Sequence, residues 1–151
     1  MTPALTIRGA GKAIEFYRKA FGAKVVDRVD GPDGTSVMHA ALQIGDSRIF
    51  LGDEMPGMAC RSPQSLGGTT SSIYLYVKDA DAAVKKAVDA GGTLKKPVET
   101  MFWGDRFGSV ADPFGYTWDI ATRVEEVSPE ELRKRAEDFV KEMASGSRDT
   151  D

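Results

Sequence analysis

Asp119 stands in the middle of an otherwise apolar stretch, YTWDIA at residues 116–121. Strand alternation there puts Thr117, Asp119 and Ala121 on one face and Tyr116, Trp118 and Ile120 on the other. A carboxylate in such a place is costly unless it is paired, hydrogen-bonded or bound to a metal. Two roles follow. Asp119 is a general base with a pKa raised by an apolar cavity, or a structural carboxylate paired with an arginine or with backbone groups. His39, the only histidine, lies mid-strand in SVMHAALQI at residues 36–44. It is either a structural, hydrogen-bonded group in a sheet or an acid–base residue facing a cavity. Cys60, the only cysteine, lies beside Arg61, which favours the thiolate. With no second histidine to serve a thiol nucleophile, Cys60 is read as incidental.

Counting limits the metal chemistry. A catalytic divalent ion needs about three protein ligands drawn from His, Cys, Asp and Glu. Iron oxygenases with two histidines and one carboxylate need twice the histidine this chain has. Dimerisation adds a histidine and a site together, so the ratio does not change. Gly9-Ala10-Gly11 lacks the spacing and the following Lys-Ser/Thr of a phosphate loop, and reads as a turn.

Aromatic side chains gather in the second half: Tyr74, Tyr76, Phe102, Trp103, Tyr116 and Trp118. Flat, rigid side chains with polar tips suit a ligand pocket, although each is also a good core residue. The block Trp103-Gly104-Asp105-Arg106 adds an acid and a base to an aromatic just before a strand.

The elements that must position these residues repeat. A strand over 5–8 precedes a helix over 12–21, whose Ala13, Ile14, Phe16, Tyr17, Ala20 and Phe21 form one apolar face. Gly22 closes it. Strands follow over 24–29, 36–44 and 48–51, the last two around a Gly45-Asp46 hairpin. After a loop rich in Gly, Pro and Met, the order returns. A strand spans 72–77, a helix 79–90 and a strand 93–100, and a hairpin turns at Asp112-Pro113-Phe114-Gly115. Pro97 marks the 93–100 strand as an edge or a bulge. A shift of 70 carries Ala13 onto Ala83, Ile14 onto Val84 and Gly22 onto Gly92. Two tandem βαβββ modules are the economical reading. Ser128-Pro129-Glu130-Glu131 starts a last helix, with Leu132, Ala136, Phe139, Val140 and Met143 on one face.

The segments AIEFYRKAFGA (13–23), HAALQIGDSRIFLGDE (39–54), YVKDADAAVKKAVDAGG (76–92) and FWGDRFGSVADPFGYTWDIATRVEEVSPEEL (102–132) resemble the vicinal oxygen chelate superfamily. This is the glyoxalase, bleomycin-resistance and dioxygenase group, and the last segment is most similar to its PhnB-like branch. The resemblance implies an α+β fold whose two modules form a curled mixed sheet around a cavity, in a homodimer. It implies one metal ligand on each of four strands in the metal-dependent members. Carried over, those positions are Thr2, Ile49 or Phe50, Ser72 and Asp119, of which only Asp119 is an ordinary ligand. It also places Trp103, Asp105 and Arg106 at the cavity rim as ligand contacts.

The expected organisation is a first module at 1–53, a linker at 54–70, a second module at 71–123, a C-terminal helix at 124–144 and a disordered tail at 145–151. The expected function is binding of a small aromatic or amphipathic molecule without a standard catalytic metal. Phe50, Ser72, Tyr74, Tyr76, Trp103, Asp105, Arg106 and Trp118 are the expected contacts. The alternatives are a lyase or isomerase using Asp119, with a weakly held divalent ion, and a regulatory dimer with no ligand. No other cofactor is expected. The balance of 28% charged residues and a net charge of −3 gives no basic surface for nucleic acid. No apolar run approaches a membrane span and no leader pattern opens the chain, so a cytoplasmic protein is expected.

Overall fold

The computed structural model describes residues 1–146. The first module contains β1 (Ala4–Ile7), α1 (Ala10–Phe21), β2 (Lys24–Asp30), β3 (Val37–Ile44) and β4 (Ser47–Asp53). The second contains β5 (Ser72–Tyr76), α3 (Ala80–Asp89), β6 (Thr93–Thr100), β7 (Asp105–Ala111) and β8 (Thr117–Arg123). A short helix, α2 (Pro63–Leu66), lies in the connection, and α4 (Pro129–Gly146) follows β8. The two βαβββ units are those the repeat predicts. Each has its own mixed sheet, ordered β1-β4-β3-β2 and β5-β8-β7-β6, with a parallel pair at one edge (β1 with β4, β5 with β8) and antiparallel pairs elsewhere.

Each sheet buries one face beneath its helix. In the first, Ile7, Leu42 and Leu51 meet Ala13, Ile14 and Tyr17 of α1. In the second, Val110, Trp118 and Ile120 share the core cluster with Val84 and Ala87 of α3, and Trp118 also meets Tyr17 and Phe21 of α1. The helices then pack on one another, so one core serves both modules. This arrangement leaves the opposite face of each sheet open. Apolar burial at about 25 cal/mol per Å² stabilises the helix side, and among the described residues no helix packs on the other.

Several boundaries have non-local causes. Helix α1 begins at Ala10, two residues earlier than its apolar pattern. Asp53 at the end of β4 accepts hydrogen bonds from Gly9 N (3.0 Å) and Ala10 N (2.9 Å), capping the helix across the module. Its other oxygen takes Val37 N at 2.8 Å. Pro97 lies in an edge strand whose register shifts between Leu94 and Lys96 and again before Glu99, so it is both at an edge and bulged. Ser128 Oγ accepts Glu131 N at 3.2 Å and starts α4 as expected. The helix runs to Gly146, past the expected end at 144, so residues 145 and 146 are helical. Residues 147–151 of the expected tail lie outside the described part. None of α4 is buried. It is held by Phe139 against Phe102, with ring centroids 5.2 Å apart, and by Arg135, which donates to Glu125 (2.8 Å) and to the Phe102 carbonyl (3.3 Å). Among the described residues no helix is long and apolar enough to cross a membrane.

Candidate functional site

The open face of the second sheet carries a cluster of polar and aromatic groups, and Asp105 is its centre. This side chain is 1% exposed. Its Oδ2 accepts from Tyr74 Oη (2.9 Å), Tyr76 Oη (2.9 Å) and Trp103 Nε1 (3.1 Å), and its Oδ1 accepts from Arg123 Nε (2.6 Å). The sheet order explains how residues so far apart in sequence meet. Asp105 on β7 pairs directly with Arg123 on β8. Tyr74 and Tyr76 come from β5 on the far side of β8, and Tyr76 pairs with Ala121 there. Ala121 is too small to separate them, so the Tyr74 ring stacks on Phe107 of β7, with centroids 5.6 Å apart.

The loop before β7 supplies Trp103. Its geometry depends on Gly104, which has φ 94° and a carbonyl that accepts from Val124 N (3.0 Å) and Glu125 N (3.1 Å). A Cβ here would run into the Glu125 carbonyl oxygen. Trp103 also meets Phe107 edge-on at 5.9 Å. Tyr74, Tyr76, Trp103 and Phe107 thus form an aromatic surface around a buried, fully bonded carboxylate, with Tyr74 43% and Tyr76 55% exposed.

Burial pushes the Asp105 carboxyl up, but hydrogen bonds from Tyr76, Tyr74 and Arg123 outweigh it and hold the group below the usual carboxylate value. Burial pushes the Tyr74 phenol up to about 12; Trp103 opposes this and Asp105 adds to it. Arg123 is raised by its bonds to Tyr76 and Asp105. Asp105 is therefore an ionised anchor, with its lone pairs committed to the four donors around it.

Asp119 lies on the same face, paired across the sheet with Tyr74 of the aromatic cluster on one side and with Ser109 on the other. Its Oδ2 accepts from Ser72 Oγ at 2.6 Å. Its partner is thus a hydroxyl and not an arginine. Its Oδ1 has no hydrogen bond to a described residue.

The four family ligand positions can now be set on strands. Ala4 pairs with Phe50 as Tyr74 pairs with Asp119, so Phe50, and not Ile49, corresponds to Asp119. Ile49 is buried in the core, whereas Phe50 lies on the open face of the first sheet. The set is then Thr2, Phe50, Ser72 and Asp119: two hydroxyls, a phenyl ring and one carboxylate. These residues do not fit a firmly held catalytic divalent ion. Among the described residues no three His, Cys, Asp or Glu side chains are grouped closely enough to hold one.

Three expected contacts lie elsewhere: Phe50 on the first sheet, as above, and Trp118 and Arg106. Trp118 is 1% exposed in the core, where its ring meets Tyr17 at 5.1 Å and its Nε1 donates to Asp112 at 3.0 Å. The strand alternation that puts Asp119 on the open face puts Trp118 on the other. Arg106 alternates with Asp105 in the same way and donates through Nη2 to Asp81 of α3 at 2.7 Å. His39 is on the open face of the first sheet, edge-on to Phe50 at 5.0 Å. It lines a pocket of about 260 Å³ with Met38, Met55, Met58 and Cys60, apart from Asp119. A larger cleft of about 790 Å³ runs between the modules along the free edge of β5, lined by Phe21, Ile44, Tyr74, Tyr76 and Lys86. It touches the aromatic surface at Tyr74 and Tyr76 but does not include Asp105 or Trp103. Phe107 and Arg123 are the contributors that residue type alone did not single out. The signal for both was register, since Phe107 shares alternation parity with Asp105, and Arg123 with Asp119.

The model of the Glyoxalase/Bleomycin resistance protein/Dioxygenase superfamily matches residues 3–120. The chain belongs to that superfamily. An uncharacterized protein of Mycobacterium bovis, Mb0911c, is 43% identical over 136 residues, covering 88% of this chain and 89% of the relative. The X-ray structure of the Arabidopsis thaliana gene product At5g48480 is 32% identical and superposes with a TM-score of 0.63 over 80% of this chain and 96% of that one. The PhnB protein from Bacillus cereus, 17% identical, has a TM-score of 0.61 over 81% of this chain and 98% of that one, a likeness of fold alone. The superfamily membership agrees with the paired βαβββ modules.

Proposed function

We propose that this superfamily member, of the PhnB-like, bleomycin-resistance type, binds a small aromatic or amphipathic molecule on the open face of the second module, without a resident catalytic metal. One observation carries the reading. Four aromatic side chains are fixed around Asp105, yet Tyr74 and Tyr76 are left about half exposed. Rigid aromatics with satisfied polar tips present apolar area to a ligand at little entropic cost. The protein acts as a homodimer. One chain leaves both open faces uncovered, and a second copy supplies the other wall of the cavity. Val29 and Met38, about half exposed on the first module, support such a contact.

The test is a thermal-unfolding screen of chelator-treated protein against a library of small aromatic compounds. A ligand that binds only the folded state raises Tm by mass action. At least one compound raises Tm saturably in the wild type and not in Phe107→Ala. A library without such a compound, or one whose effect survives Phe107→Ala, contradicts the reading.

A second reading rests on Asp119. Its short bond from Ser72 and its open second oxygen suit a general base in a lyase or isomerase. Asp119→Asn then abolishes turnover while leaving ligand binding in place. Unchanged turnover in that variant removes the reading.

A further inference from the structure

Arg123 is only partly used by the group it belongs to. Its Nε donates to Asp105 and its Nη2 to Tyr76 Oη at 3.2 Å. A guanidinium has five N–H groups, so three remain on Nη1 and Nη2. The nearest other carboxylate, Glu126, is 3.9 Å from Nη1 and 89% exposed, a loose and well-screened pair. The planar head lies over the Tyr76 ring, 5.9 Å from its centroid, and its side chain is 43% exposed. Two hydrogen bonds and a ring therefore fix the orientation of a cation whose outer edge faces solvent. A fork held in this way is pre-organised for a carboxylate, sulfonate or phosphate oxygen pair.

The opposite end of the surface has the opposite sign. Asp119 lies four residues back along β8 on the same face, about 13 Å away at 3.3 Å per residue. Tyr74 and Phe107 stack in the space between. An anion is attracted at the Arg123 end and repelled at the Asp119 end.

We infer that the ligand of this face is an aromatic anion, seated with its ring against Tyr74 and Phe107 and its negative group on Arg123, and carrying no second negative charge at the Asp119 end. This rests on the proposed reading of the face as a ligand site. Arg123 is the specificity-determining residue, and Asp105 and Tyr76 are positioning residues that orient it.

The test compares two probes of one skeleton on the full chain, 1-anilinonaphthalene-8-sulfonate and the uncharged N-phenyl-1-naphthylamine, by fluorescence titration. Arg123→Gln is expected to weaken the sulfonate about tenfold, as loss of a charge-assisted fork contact does, while the neutral probe moves less than about twofold. A wild-type measurement stands beside it in case the variant does not fold. Between low and half-molar salt the sulfonate affinity falls severalfold and the neutral probe's does not. Saturable binding of the neutral probe, with no salt-dependent or Arg123-dependent preference for the sulfonate, overturns the inference and leaves the ligand site standing. Saturable binding of neither probe overturns both.

Discussion

Tyr17 of α1 donates a 2.6 Å hydrogen bond to Asp112 Oδ2, joining the first module to the turn between β7 and β8 in the second. Asp112 is 6% exposed and also accepts from Trp118 Nε1 (3.0 Å), Phe114 N (2.9 Å) and Tyr116 N (2.9 Å). Burial, with the Asp112 charge adding to it, pushes the Tyr17 phenol well up, so it remains a donor. One carboxylate therefore shapes the turn and locks the modules together.

Tyr17→Phe removes one of four donors and is expected to cost about 2 kcal/mol, the value of a buried hydrogen bond to a charged group. Asp112→Ala strands three other donors as well and costs about 4 kcal/mol. Urea unfolding measures both. Equal, small effects would show that Asp112 is not the joint.

Gly104→Ala is expected to cost at least about 2 kcal/mol, since the residue is held at positive φ with no room for a methyl group. The same change shifts Trp103 away from Asp105, which Trp103 fluorescence reports in a Trp118→Phe background. An unshifted spectrum with unchanged stability would count against the loop geometry.

The Asp105 group makes stability depend on pH at both extremes. A carboxyl held below its ordinary 3.8 contributes stability above that value and loses it as pH falls through the folded pKa. Asp105→Asn is expected to flatten that acid limb. Tyr74, raised from 10.0 to about 12, contributes below 10.0 and loses its contribution as pH rises through about 12. Ultraviolet difference titration is expected to show late-ionising tyrosines, one fewer in Tyr74→Phe, with Tyr17 and Tyr116 still late in that variant. Ionisation of all exposed tyrosines together, with no late component, would contradict the assignment.

Strand alternation and the internal repeat made much of the fold legible from sequence. The same alternation separated Asp119 from Trp118, yet Trp118 was expected as a ligand contact because of its residue type and instead lies in the core. The site was legible in part. Tyr74, Tyr76, Trp103 and Asp105 were recognisable by type. That Asp105 is buried under all of them was not, because its donors come from positions 31 and 29 residues before it and 18 after it. Only the order β5-β8-β7 and the small Ala121 bring them together. Asp53 as the cap of α1 was invisible for the same reason, 44 residues separating it from Gly9. Residues fixed by local pattern could be read, and those fixed by register between distant strands could not.

The donor set at Thr2, Phe50, Ser72 and Asp119 predicts that Mn²⁺, Fe²⁺, Co²⁺, Ni²⁺ and Zn²⁺ leave the Tm of chelator-treated protein unchanged. A saturable rise with one ion, lost in Asp119→Ala, would restore a metal site and favour the reading of Asp119 as catalytic.

The central claim is that the aromatic face of the second module holds a ligand without metal. Energy transfer from Trp103 to N-phenyl-1-naphthylamine, titrated in the presence of EDTA, tests it most directly. The account predicts saturable transfer that EDTA does not alter, that falls sharply in Trp103→Phe, and that Tyr74→Ala weakens about tenfold, as loss of a central aromatic contact does. Transfer that never saturates, or that is the same in Trp103→Phe and Tyr74→Ala as in the wild type, would contradict it.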